Sequence, residues 1–287
     1  PRAQRHVRPS KLTRSRLLQQ PGLVPRPRPV RQKDQCWQTS LQISCADPSG
    51  LQRFGLYGAR VLTNAARNPV PPVAVAFITA NSILFVFTHD MTRIGDTSLR
   101  RNALVEWATY GFPISEVGEW WRLATGAFLH ADIRHLLLNL IMFFLLGKRL
   151  ERQLGSLLFG ATCLTSMLWA SAGALIASPN TAVVGASGIV YGIMASVYVV
   201  ERLSGGDPWS EGFGTLIVIN VVLSFIIPGI SIGGHLGGLV GGFLAGWAAG
   251  DLRRRSPIRL WATMPLLGIC GFAFGLVAAA TWIDPFF

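Results

Sequence analysis

The feature that most limits how this chain can fold is a series of long apolar runs: Val73 to Thr88, Ile133 to Leu146, Leu157 to Ala177, Ser187 to Val200, Phe213 to Ile227, Gly234 to Gly250 and Trp261 to Ile283. Backbone immersed in hydrocarbon must satisfy its N–H and C=O groups internally, so such runs fold as helices and several together as a bundle. Roughly 20 residues span a bilayer. The shorter runs extend into polar or glycine-rich flanks that protein or interface can cover. Half of the 287 residues are hydrophobic, only 14% are charged and the mean hydropathy is +0.40, more apolar than a soluble domain of this size requires. The expected fold class is all-α, a polytopic membrane helical bundle of about seven transmembrane helices.

The net charge of +12 is concentrated in short segments beside these runs. Residues 1 to 34 hold ten of the 26 Lys and Arg together with six prolines; that composition builds no core and reads as a flexible basic tail drawn to anionic lipid rather than to nucleic acid. It contains no apolar stretch of a secretory signal. Lys148, Arg149 and Arg152 follow the second run, and Arg253, Arg254, Arg255 and Arg259 follow the sixth. The positive-inside rule therefore predicts a cytoplasmic N-terminus and an outward C-terminus in a cell membrane. Three regions result: 1–70, basic and proline-rich; 71–250, a six-helix core; and 251–287, a basic loop with a further span. Cys36, Cys45, Cys163 and Cys270 have no paired spacing, which indicates neither a zinc site nor a disulfide framework. No metal or organic cofactor is expected, and the sequence sets no oligomeric state.

With this topology the even-numbered spans begin at the outer face, and unusual polar residues cluster at their beginnings. His135 and Asn139 open the second, Ser187 the fourth and His235 the sixth. Asn139 follows His135 by about one helical turn, as Tyr191 follows Ser187, so each pair shares a face. Singly, each residue has a plain explanation: a serine bonding its own backbone, an asparagine joining helices, a histidine at the interface. Their gathering on one side and at one depth points to a site.

Gly234, Gly238, Gly242 and Gly246 recur every four residues along the sixth span, and Gly188, Gly192 and Ser196 along the fourth. Such bare stripes let helix backbones approach closely in lipid. If the two face each other, Ser187 and His235 come within hydrogen-bonding reach. A serine hydroxyl becomes a nucleophile when a base takes its proton, and neutral imidazole suits that task near neutral pH. A soluble-hydrolase elbow, Gly-x-Ser-x-Gly, is not met in "VVGASGIVYG", where glycine follows Ser187 directly. No Asp or Glu lies in the apolar part of these spans to orient His235, which argues against a Ser-His-Asp triad; Tyr191 could hold the imidazole by packing on its ring.

These residues resemble the rhomboid intramembrane serine proteases from about Pro71 to Gly250, through "ITANSILFVF", "EWWRLATGAFLHADIRHLLLNL", "LGKRLERQLGS", "GASGIVYG" and "IIPGISIGGHLGGLVGG". The resemblance implies a rhomboid-like bundle with Ser187 as nucleophile and His235 as general base, a dyad with no acidic third member. It implies an oxyanion-binding group of His135, Asn139 and the Ser187 amide, with Tyr191 stacked on the catalytic histidine, Gly185 preceding the nucleophile and His130 supporting the site. Trp121 and Arg122 match the Trp-Arg pair of a long interfacial first loop, which here also carries Trp107, Tyr110, Phe112 and Trp120. The seventh span is an addition with a packing or topological role.

The function expected is an endopeptidase that cuts transmembrane protein substrates within the lipid bilayer through an acyl-enzyme. The fifth span and the loop Pro228 to Gly233 would be the moving gate, because Pro228 and Gly229 interrupt the helix. A catalytically silent relative that only escorts membrane clients would typically lack the serine or the histidine. A transporter would carry polar groups at several depths.

Overall fold

A helix occupies each of the seven apolar runs in the computed structural model, which describes residues 70–93, 96–252 and 255–283, all within the unit Arg67–Phe287. The expected basic region before residue 70 lies outside the described residues. In chain order the elements are α1 (Pro72–Thr88), β1 (His89–Arg93), β2 (Asp96–Leu99), α2 (Arg101–Trp107), α3 (Gly111–Ser115), α4 (Arg122–Thr125) with a 3-10 turn (Gly126–Phe128), α5 (Ile133–Leu154), α6 (Ser156–Ala177), α7 (Ser187–Leu203), α8 (Phe213–Ile226), α9 (Ile232–Trp247) with a π turn (Ala248–Leu252), and α10 (Pro257–Ala279). Taken singly, α6 and α10 are long and apolar enough to cross a bilayer, and α5 joins them when counted with the bent segment Arg122–Phe128 before it. The shorter helices complete a multi-pass membrane bundle by packing against these. The antiparallel hairpin β1–β2, His89 opposite Leu99, is a departure from the all-helical expectation.

The helix ends follow from local chemistry. Asp132 caps α5, its carboxylate accepting from the amides of Arg134 (2.8 Å) and His135 (3.0 Å). Ser231 caps α9 by accepting from the Gly234 amide at 3.1 Å. These are side chains favoured where a helix's first N–H groups lack partners, and each cap fixes the start of a helix bearing a candidate site histidine. α10 begins at Pro257 and ends at Ala279, four residues earlier at both ends than the apolar run Trp261 to Ile283 suggests, because proline is suited to a first helical turn.

The core is organised around α9, whose most extensive contacts are with α6 and α7. A Cβ on Gly238 or Gly242 would collide with the Gly188 or Gly192 carbonyl of α7, and one on Gly246 would lie 2.7 Å from Ser196 Cα. The stripes legible in the sequence thus meet backbone to backbone, and the Ser196 hydroxyl donates to the Gly242 carbonyl at 2.6 Å. A second bare face, one residue offset, is what the sequence reading missed: Gly233, Gly237 and Gly241 lie against Gly173, Trp169 and Thr165 of α6. α9 is therefore seated on two neighbours at once.

Polar contacts tie the remaining helices in place. The buried Glu151 of α5 accepts from the amides of Val73 and Ala74, both at 2.9 Å, capping α1 from another helix. Arg149 reaches Glu201 at 2.8 Å and lies over the Phe213 ring, joining α5, α7 and α8 at the basic face of the bundle. At the opposite face, α10 braces the loop between α1 and α5. Trp282 packs on Phe112 (4.8 Å between rings), while Asn180 donates to the Ile283 carbonyl (3.0 Å) and accepts from its amide (3.3 Å).

Alanine substitutions separate backbone contact from ordinary helix packing. Gly242→Ala drives a methyl group into Gly192 and is expected to cost about 1–3 kcal/mol. Gly268→Ala meets only Leu168 at 3.9 Å, and improved helix propensity should make it neutral or stabilising by up to about 1 kcal/mol. Thermal unfolding of both variants in detergent checks this; equal melting temperatures would contradict the packing described.

Candidate active site

The site forms where the starts of α5, α7 and α9 converge. His235, in the first turn of α9, points Nε2 at Ser187 Oγ, 2.8 Å away. Ser187 is the first residue of α7, so its own amide belongs to the first-turn N–H groups that have no intrahelical acceptor. The approach to α7 is a short extended segment. Val183 exchanges backbone hydrogen bonds with Thr109 (2.9 and 3.0 Å), and the Gly185 amide donates to the Gly126 carbonyl at 2.9 Å. Gly185 has φ +123°, and a Cβ there would lie 2.6 Å from the His135 ring. Only glycine both takes that conformation and leaves room for the imidazole.

His135 and Asn139, one turn apart on α5, line the same cavity of about 690 Å³ as Ser187, Tyr191 and His235. Asn139 Nδ2 donates to the His135 carbonyl at 3.0 Å, which leaves its second hydrogen free. The Ala131 amide donates to His135 Nδ1 over 3.5 Å, so Nε2 of that ring carries the proton and is a donor as well. Tyr191 stacks on His235 with ring centroids 3.9 Å apart and planes at 18°.

His130 does not line this cavity. It is fully buried behind His135, edge-on at 5.2 Å. Burial first, then the neighbouring His135 and His89, lowers its pKa to about 3, so the ring is neutral. His89, also fully buried, joins the end of α1 to this layer: Nε2 donates to the His130 carbonyl at 2.8 Å, and Nδ1 lies 3.0 Å from the Phe85 carbonyl. Trp121 is exposed, whereas Arg122 is buried and paired with Glu119, with Nη1 donating to the Ala108 carbonyl at 3.3 Å. The Thr109 hydroxyl donates to the Arg122 carbonyl at 2.8 Å, so this pair holds the loop that holds the Val183–Gly185 segment.

Sequence reasoning placed the polar groups on even-numbered spans alone, and here the structure adds an odd one. Ser224 of α8 is buried with Oγ 2.7 Å from His235 Nδ1 and 2.7 Å from the Tyr191 hydroxyl, and Tyr191 donates to the Asn220 carbonyl at 2.6 Å. A signal for it exists, since an odd span ends where an even one begins, and Asn220 and Ser224 lie one turn apart near the end of the fifth run. Among the described residues no group of His, Cys, Asp and Glu could hold a metal ion.

Residues 117–252 match the family model for the Rhomboid domain. The protein named "Putative rhomboid protease YdcA" of Bacillus subtilis is 32% identical over 164 residues, covering 54% of this chain and 77% of that protein. The chain belongs to the rhomboid family. It is a bacterial-type rhomboid serine protease by class and a multi-pass membrane protein. The rhomboid protease GluP of the same organism is 31% identical over 158 residues, 55% of this chain and 30% of GluP. The rhomboid protease GlpG of Haemophilus influenzae is 30% identical over 127 residues, 44% of this chain and 64% of GlpG.

His130 makes the fold acid-sensitive. Its folded pKa of about 3 lies below the ordinary value of 6.5. The unfolded chain therefore binds a proton that the folded chain refuses, and stability is lost as pH falls from 6.5 toward 3. Melting temperatures measured across that range should fall less steeply for His130→Gln than for the parent; identical slopes would contradict the assignment.

Proposed function

We propose that this chain is an intramembrane endopeptidase that hydrolyses a peptide bond in or next to the transmembrane segment of membrane-protein substrates. The observation that carries the reading is the 2.8 Å contact between His235 Nε2 and Ser187 Oγ. Ser187 Oγ attacks the substrate carbonyl carbon while its proton passes to His235 Nε2. The resulting oxyanion accepts from the Ser187 amide, the free Asn139 hydrogen and His135 Nε2, donors held in place before the charge develops. Collapse expels the amine with the proton from His235 and leaves an acyl-enzyme on Ser187. Water, deprotonated by the same imidazole, then attacks the ester carbonyl carbon; the C–Oγ bond breaks, His235 returns the proton to Ser187 Oγ, and the new carboxylate is released. Tyr191 and His130 stand as supporting groups, one on the base and one behind His135.

Supporting this reading is the cavity, where polar groups of α5, α7, α8 and α9 converge within a predominantly apolar lining. Entry of a substrate helix falls to α8 and the Pro228–Ser231 segment. Only Gly214 and Ser224 are buried along α8, and Pro228 and Gly229 break the chain before α9. The small residues around Ser187 favour a small residue at the cut. Lys148, Arg149, Arg152 and Arg259 stand at the end of the bundle away from the site, which supports an outward-facing site and a cytoplasmic N-terminus.

A serine-reactive fluorophosphonate should label the parent protein, and Ser187→Ala should abolish both labelling and cleavage of a reporter transmembrane segment. His235→Ala should abolish cleavage, and Asn139→Ala should slow it by about 10- to 1,000-fold, the loss expected of one oxyanion donor. Cleavage by Ser187→Ala at the parent rate would overturn the assignment. A folded parent that neither labels nor cleaves would instead be a client-binding scaffold.

A further inference from the structure

We propose that Ser224 is the positioning residue that takes the place of an acidic third member, fixing His235 in the tautomer that can act as a base. This rests on the proteolytic reading of the same site. The proton inventory leads there. For His235 Nε2 to accept the Ser187 proton, the single hydrogen of the neutral ring must be on Nδ1, and Nδ1 faces Ser224 Oγ at 2.7 Å. Ser224 is free to accept it, because its own hydrogen has a target in the Asn220 carbonyl one turn back, at 2.9 Å. The Tyr191 hydroxyl lies 2.6 Å from that carbonyl and 2.7 Å from Ser224 Oγ, and its one hydrogen is shared between these two acceptors, so the ring stacked on His235 is anchored to the same point and Ser224 remains an acceptor.

The opposite assignment has Ser224 donating to Nδ1 and Nε2 donating to Ser187. It puts a proton where the base needs a lone pair, and it leaves the Ser187 hydrogen with no acceptor among the described residues. Ser224, Tyr191 and His235 are all buried, and in such surroundings a mismatched donor or acceptor is costly. No carboxylate is among the residues in contact with either nitrogen of His235. A neutral hydroxyl orients the ring without requiring a charge to be desolvated.

The placement of Ser224 also links entry to chemistry. Ser224 and Asn220 both stand on α8, the least buried of the site helices, so outward displacement of α8 removes the acceptor from His235.

The test is ¹⁵N NMR of the histidine-labelled full chain in detergent, with His235 assigned by loss of its signals in His235→Asn. The parent is expected to show His235 protonated at Nδ1 and bare at Nε2. Ser224→Ala should shift the ring toward the Nε2-protonated form and lower kcat on a reporter segment about 10- to 100-fold, with KM changed less than about twofold. Ser224→Thr, which keeps the hydroxyl, should restore both. A parent ring protonated at Nε2, or a tautomer that Ser224→Ala leaves unchanged, would overturn the proposal whether or not the variant cleaves. A parent that shows the Nδ1-protonated ring, shifted by Ser224→Ala, and yet cleaves nothing would uphold Ser224 as the orienting group and count against the proteolytic reading alone.

Discussion

Direct backbone contact between α7 and α9 is the constraint on which the rest of the structure depends. In lipid there is little hydrophobic gain from bringing helices together, so close approach has to come from van der Waals contact between surfaces without side chains. Gly188 and Gly192 on one helix and Gly238 and Gly242 on the other provide such surfaces. The hydroxyl of Ser187 and the imidazole of His235 are both short, and they meet because the helices that carry them nearly touch. The second glycine face, Gly233, Gly237 and Gly241 against α6, prevents α9 from rolling away from α7, and α6 in turn carries α10 through the Trp169 indole, which donates to the Leu267 carbonyl at 2.9 Å.

Around that contact most polar groups are satisfied locally, as burial in a membrane requires, while Asn81 Oδ1 and both ring nitrogens of His130 have no hydrogen-bond partner among the described residues. Thr88, Asn139, Asn220 and Ser224 each donate to the carbonyl four residues earlier in their own helix. Asn139 and Ser224 keep further hydrogen-bonding capacity after doing so, and both direct it toward the site. The larger costs fall at the margins. Arg122 is buried against Glu119, and His130 is held neutral, both beneath the loop whose backbone aligns Val183–Gly185 with Ser187.

The helices were legible because hydrocarbon leaves the backbone few alternatives, and their apolar runs locate α1, α5, α6, α7 and α8 to within a few residues at one end or the other. The glycines on one face of α9 were legible through their period of four. The face toward α6 was obscured because its glycines sit beside the first set and read as one glycine-rich stretch. Ser224 escaped for a different reason: its signal is only the one-turn spacing from Asn220 at the end of an odd-numbered span, and what the hydroxyl does is set by its neighbour across the bundle. The loop between α1 and α5 combines a hairpin with three short helices held by tertiary contacts, among them Thr109 with Val183 and Trp282 with Phe112, which no local pattern encodes.

The central claim is that α7 and α9 hold a nucleophilic hydroxyl and an imidazole within a few ångströms of each other. The most direct measurement is mass spectrometry of the protein treated with a 4-chloroisocoumarin, a reagent that acylates a serine and then alkylates an adjacent nucleophilic nitrogen. The account predicts one cross-linked product joining the peptide that contains Ser187 to the peptide that contains His235. Modification of neither residue in the folded protein, or a cross-link from Ser187 to a histidine other than His235, would contradict it.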